Sequence, residues 1–187
     1  MSASKRDELV HKALKIFYRD GFHATGMDKL VKETGISKTS MYKHFRTKDD
    51  LILASLRLRD ELFRNKFVRK VETLAGDPAA QLLAMFDALD DWFHELDFRG
   101  CMFIKASGEF PIKGSPIYDT AAEHKKLLLD YVEKLAAQTT AKDPLLLARQ
   151  LTLLKEGAIV AAHMRGPEGI AADAKLAAEA LIKAQTT

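Results

Sequence analysis

The chain is cut into helix-length pieces by regularly placed caps and breakers, and this punctuation leaves little room for any structure but helices. Ser4 stands before a stripe of Leu9, Val10, Ala13, Ile16 and Phe17, the spacing with which a helix buries one face. It predicts a helix over 5–20, ended by Gly21. Thr25 precedes Asp28 by three positions, a capping-box spacing that opens a second helix ending before Gly35. Ser37 caps a short third helix over 38–44, and Thr47 with Asp50 repeats the capping spacing at the head of a long fourth helix to residue 74. The turns AGDP (75–78), DFRG (97–100), PIKGSP (111–116), TTAKDP (139–144) and RGPEG (165–169) then separate helices over 79–96, 101–110, 117–139, 145–164 and 168–185. No segment alternates with period two over a useful length, so an all-α protein of about nine helices is expected.

Composition narrows the function classes. A 187-residue chain with 47% hydrophobic and 29% charged residues buries a sizeable core, as one medium domain or a small domain joined to a larger one. Its single cysteine, Cys101, excludes an intramolecular disulfide and a multi-cysteine zinc site, and a reduced intracellular setting is the simplest expectation. Residues 1–10 lack the apolar core of a signal peptide, and no apolar run reaches the length of a membrane span, so a soluble, cytoplasmic protein without membrane contact is expected. Positive charge is concentrated at the start: residues 1–50 hold 11 Lys and Arg against 7 Asp and Glu, and the remainder 18 against 19. An anionic polymer facing the N-terminal part would account for that bias.

The second and third helices, joined by Thr-Gly-Ile-Ser at 34–37, have the arithmetic of a helix-turn-helix. Gly35 suits the positive φ that ends a helix, and Ile36 can fill the space between the two. The third helix, about 10 Å long at 1.5 Å per residue, suits entry into a major groove about 12 Å wide. Residues 21–51, GFHATGMDKLVKETGISKTSMYKHFRTKDDL, resemble the DNA-binding domain of the TetR family of transcriptional regulators. The resemblance rests on Gly21-Phe22, Thr25, Leu30, Gly35-Ile36-Ser37, Tyr42, His44-Phe45, Lys48 and Leu51, and covers about 50 residues from the first helix onward. Val31 and Thr34 stand where the family usually has alanine, Thr39 replaces a frequent glycine, and Gly26 a frequent serine or threonine.

Chemistry and resemblance together assign the DNA contacts. Lys38, Thr39, Ser40 and Lys43 lie on or near the exposed side of the third helix and are candidates for base edges or adjacent phosphates. The resemblance makes Tyr42 and His44 phosphate contacts. Thr25 and Lys48 sit at predicted helix N-termini, where backbone amides favour phosphate, while Met41 and Phe45 face the small core.

What the resemblance implies for the whole is a DNA-binding domain over 1–47, joined by the long helix to a ligand-binding and dimerisation bundle over 48–187. The protein is then a homodimeric repressor on a palindromic double-stranded operator, released by a small apolar or amphipathic effector, with no cofactor. The last two helices carry small and apolar residues suited to pairing. Leu151, Leu154, Ala158, Ala161, Ala162, Ala174, Ala178 and Leu181 are the expected dimer contacts, although an intrachain bundle explains the same periodicity. The expected effector pocket comprises Phe86, Trp92, Phe93, Cys101, Phe103, Phe110, Tyr118, His124, Tyr131 and His163, with core packing the ordinary role of any one of the aromatics.

Three alternatives stand beside this reading. Glu109, His124 and either Glu156 or His163 could bind a metal; Glu156 and His163 lie seven apart on one helix face. Cys101 could sense oxidants or electrophiles, or serve as an enzyme's nucleophile with His124 or His163, but no nucleophile motif surrounds it. A non-specific architectural DNA binder would carry a broad basic surface, whereas the later part of this chain is slightly acidic.

Overall fold

The computed structural model describes residues 4–186. Among them there is no strand, and nine helices follow in order: α1 (Lys5–Asp20), α2 (Met27–Thr34), α3 (Lys38–His44), α4 (Lys48–Leu74), α5 (Pro78–Phe93), α6 (Met102–Glu109), α7 (Pro116–Ala136), α8 (Pro144–Arg165) and α9 (Ile170–Thr186). The caps explain most of the boundaries. Ser4, Ser37, Asp77 and Asp143 each accept the backbone N–H three residues on, at the heads of α1, α3, α5 and α8. Thr47 and Asp50 form the reciprocal capping box of α4: the Thr47 amide donates to the Asp50 carboxylate and the Asp50 amide to the Thr47 hydroxyl.

Several boundaries differ from the sequence reading by one to three residues, α7 ending at Ala136 among them, and two of the differences have a visible cause. The N-cap of α2 is Gly26, not Thr25. Thr25 is fully buried and its hydroxyl donates to the Gly21 carbonyl at 2.7 Å, so the side chain faces the wrong way to cap the helix. Helix α5 stops at Phe93, three residues early. The chain turns there through bonds from Glu95 N to Trp92 O and from Phe98 N to Glu95 O, which brings the Phe98 ring edge-on to Trp92 at 5.0 Å.

The chain forms two compact units. One runs to Phe63 and takes in Met102–His124; the other comprises Arg64–Cys101 and Lys125–Thr187. The first is built on α1, whose Leu9, Ala13 and Phe17 are fully buried, with Phe22, Leu30, Met41, Leu51, Ile52 and Leu56 completing its core. Arg19 and Lys29 join α1 to α2 on the surface: Arg19 reaches Asp20 and Glu33 at 2.6 Å, and Lys29 reaches Asp20 at 2.8 Å. These cations hold the Asp20 carboxyl well below the usual carboxylate range. In the second unit α9 packs against both α5 and α8, over Leu82, Met85, Leu89, Leu147, Leu151 and Ala178. No helix among the described residues is long and apolar enough to cross a membrane.

Candidate nucleic-acid interface

The turn between α2 and α3 is fixed by two residues in succession. Gly35 takes the left-handed conformation, φ 70°, and its amide donates to Val31 O. The buried Thr34 hydroxyl donates to Leu30 O at 2.7 Å and accepts from Ile36 N at 3.1 Å. Threonine in place of the usual alanine thus locks the exit of α2 into the turn. Lys12 on α1 adds a bond from Nζ to Thr34 O at 2.9 Å, a contact between residues 22 apart that no local pattern announces.

This turn sets the rotation of α3. Met41 and Phe45 are buried, and Arg6 of α1 lies over the Phe45 ring at 5.1 Å. At about 100° per residue, Thr39 and Lys43 then face the opposite way with Tyr42 flanking them, while Lys38, three residues before Met41, stands at the head of the helix on the edge of the buried side. All four are exposed, Tyr42 to 47% despite its size, while Ser40 is half-buried and His44 is exposed at the end of the helix. Lys38 reaches Asp28 at 3.3 Å, a pair too exposed to fix the side chain. A short helix therefore presents an ammonium, a phenol and a hydroxyl on its outward side, with a second ammonium, that of Lys38, exposed at its head; phosphates and base edges accept from such donors.

The remaining two DNA candidates lie outside α3. Lys48, half-buried at the start of α4, donates to the Phe22 carbonyl at 3.0 Å. Thr25 is removed as a phosphate contact. Its hydroxyl is committed to Gly21 O and its amide donates to Phe22 O, leaving no donor of its own. Phe22 itself is gripped from α6, where the Glu109 carboxylate accepts the Phe22 and His23 amides.

The other expected sites are sorted differently from the sequence reading. The metal alternative fails because each side chain is engaged elsewhere, and no group of three His, Cys, Asp or Glu is placed to hold a metal among the described residues. Glu109 holds the two amides. The His124 ring faces Asp60 at 2.7 Å and stacks on Phe103 at 3.6 Å. Glu156 pairs with Lys125 and Lys155, and His163 lies against Gly100 and Phe98. Burial pushes the Lys155 ammonium down. Burial also works against the charged form of Lys125, but the Cys101 sulfur that accepts from the ammonium and the Glu156 carboxylate outweigh it and hold Lys125 up. Cys101 is buried with its sulfur 3.2 Å from Lys125 Nζ.

Among the pocket candidates, Phe110 is corrected: it lies 4.6 Å from the His23 ring and edge-on to Phe22 at 6.0 Å, as part of the grip on the turn after α1. Phe103 and His124 belong to the first unit, with Tyr118 half-buried in the same unit. Phe86, Trp92 and Phe93 are buried in the second, where Tyr131 is half-buried. The expected dimer residues are corrected too. Leu151, Ala158, Ala162 and Ala178 are buried within their own chain, whereas Leu154, Ala161, Ala174 and Leu181 are partly exposed. The large apolar residues that α8 and α9 leave exposed are Leu146, Leu153, Val160, Met164 and Leu176.

Comparison with known proteins agrees with this architecture. Residues 9–55, from within α1 to the first two turns of α4, match the family described as bacterial regulatory proteins, tetR family. The chain is 23% identical over 158 residues to the HTH-type transcriptional regulator YjdC of Escherichia coli, covering 83% of this chain and 81% of that one. It superposes on SCO4454, a TetR-family transcriptional regulator from Streptomyces coelicolor, with a TM-score of 0.91 at 29% identity, over 97% of this chain and 96% of the other. For sav143 of Streptomyces avermitilis, described as of the TetR type, the TM-score is 0.84 at 30% identity, over 98% of both chains. The exposed face of α3, the locked turn behind it and this likeness over the full length agree: the chain belongs to the TetR family of helix-turn-helix transcriptional regulators.

Proposed function

We propose that the protein is a repressor that binds a palindromic double-stranded operator as a homodimer and is released by a small apolar or amphipathic effector. The observation that carries the DNA reading is the rotation of α3, with Met41 and Phe45 buried and Thr39, Tyr42 and Lys43 turned outward and exposed. Lys38, Thr39, Ser40 and Lys43 read base edges or adjacent phosphates; Tyr42, His44 and Lys48 hold phosphates. Residues 1–47 act as the reading head and 48–187 as the effector and pairing part.

One head covers few base pairs, so selective binding calls for two. The exposed side of α8 supports the pairing. Leu146, Leu153 and Val160 recur every seven residues, with Gly157 between the last two and Ala161 and Met164 after them. A second copy laid on this face would cover apolar surface that is otherwise wet, and Gly157 lets the two helices approach closely. A dimer seated over a promoter excludes polymerase, which is the basis for repression, and the protein acts in the cytoplasm, where its DNA is. The effector contacts lie among the expected pocket residues of the second unit, Phe86, Trp92, Phe93, Cys101, Tyr131 and His163. This function involves no catalysis and no cofactor.

The test is a selection of duplexes from a random pool by the full-length protein, together with footprinting of the DNA flanking its own gene. A two-fold symmetric site with half-sites about one helical turn apart, or a multiple of it, is expected. Binding that random competitor DNA abolishes would leave only an architectural role.

A further inference from the structure

The turn between α1 and α2 has backbone amides that no helix satisfies, and one side chain from far along the sequence takes them. Glu109, the last residue of α6, accepts the Phe22 amide with both carboxylate oxygens at 3.0 Å and the His23 amide at 2.5 Å. The grip is closed by the His23 ring, whose Nε2 meets the Glu109 carbonyl at 2.8 Å, and by Phe110 against the same ring. Gly21 leaves room for it: with φ at 85°, a Cβ there would stand 2.9 Å from a Glu109 carboxylate oxygen. The other side of the same residue holds a cation, since the Phe22 carbonyl accepts Lys48 Nζ at 3.0 Å. Phe22 is therefore clamped between an anion on its N–H and an ammonium on its C=O, with its own ring fully buried.

We propose that Glu109, outside the helix-turn-helix, is a positioning residue for operator binding: through the backbone of Phe22 it sets the place of Lys48. The carboxylate fixes and polarises the Phe22 backbone, which strengthens its carbonyl as an acceptor. An ammonium has three donors, and the Phe22 carbonyl takes one, so Lys48 is held in place with two N–H groups left for a DNA phosphate. The inference rests on the reading of Lys48 as a phosphate contact.

The sign of the effect separates positioning from plain electrostatics. An anion near DNA repels phosphate, so if Glu109 acted only through its charge, its removal would tighten binding. If it positions Lys48, its removal weakens binding.

The experiment uses the full-length protein and a duplex that the unaltered protein selects from a random pool. Lys48→Ala is expected to weaken binding about tenfold and to lower the slope of log affinity against log salt by about 1. Glu109→Ala is expected to weaken it by a similar factor, about tenfold. The double variant should be no more than about twofold weaker than the weaker single one, because both act through one contact. Glu109→Gln keeps one acceptor oxygen and should restore part of the loss; it also carries the test if the alanine variant does not fold. Unchanged or tighter binding by a folded Glu109 variant, or independent losses that multiply in the double variant, overturns the proposal while leaving Lys48 a phosphate contact. A silent Lys48→Ala overturns the Lys48 reading itself, and the proposal falls with it.

Discussion

At the scale of single residues, type and spacing identified which side chains matter more reliably than what each one does. Tyr42 and Lys43 are free, as expected of a recognition helix, because a seven-residue helix with Met41 and Phe45 buried has only one side to expose. Thr25 and Glu109 mislead for the opposite reason: their partners lie in three dimensions. Thr25 has a capping spacing, yet its hydroxyl finds the Gly21 carbonyl first, and Glu109 meets amides 86 and 87 residues upstream. Tyr131 is set by its surroundings in another way. Its hydroxyl is buried without a hydrogen-bond partner among the described residues. Burial, with a smaller push from Glu72, raises the phenol to about 12. Between pH 10 and 12 the unfolded chain releases this proton while the folded one keeps it. The stabilising contribution is therefore complete below the unfolded value near 10 and is lost as the pH rises towards 12. The side chain is only half-buried, so solvent screening leaves about 1 kcal/mol of pH-dependent stability. Tyr131→Phe should lack this alkaline decline and match or exceed the parent at pH 7, since it deletes an unmatched hydroxyl. Urea unfolding of both proteins at pH 7, 10 and 11.5 checks it, and parallel curves would refute it.

At the scale of elements, the helices were legible because their ends are marked by local chemistry. Six of the nine open on a capping side chain or a proline named by the sequence, and α3 matches its expected span at both ends. The ends that shifted are those decided by packing, such as α5, where Trp92, Phe93 and Phe98 gather their rings by ending the helix early. For α3 local chemistry carries more weight than usual, because so short a helix is not stable by itself. Ser37 accepts the Ser40 amide at 3.2 Å and is the cap of the proposed recognition helix. Ser37→Ala should cost about 1 kcal/mol of stability. It should also weaken operator binding, because the fraying end carries Lys38 and Thr39. Ser37→Asp should keep the cap and the stability but weaken binding by placing an anion near phosphate. Equal operator affinity for the parent and the alanine variant would show that α3 keeps its place without the cap.

At the scale of the whole molecule, the limit of sequence reading lies in α8, which is apolar on more than one side. Periodicity marks every buried-looking face alike, and it cannot tell a face covered by α9 and α5 from one left for a partner. The expected pairing residues Leu151, Ala158 and Ala162 proved to be the covered face, and Leu153, Gly157, Val160 and Met164 the uncovered one. The two faces make opposite predictions. Leu151→Ala removes a fully buried side chain and should destabilise the chain by about 2–5 kcal/mol. Leu153 and Val160 are 72% and 42% exposed, so Leu153→Glu with Val160→Glu should leave the thermal stability of the isolated chain nearly unchanged. In a dimer the same pair places four carboxylates in an apolar contact, and sedimentation should show a monomer where the parent sediments as a dimer. Losing the second head removes the gain from linked binding, so affinity for a symmetric operator should fall about a hundredfold while binding to a half-site duplex is unchanged. If the double variant still sediments as a dimer, pairing uses another surface. If it becomes monomeric yet binds the full operator as tightly as the parent, a single head suffices and the two-headed reading fails.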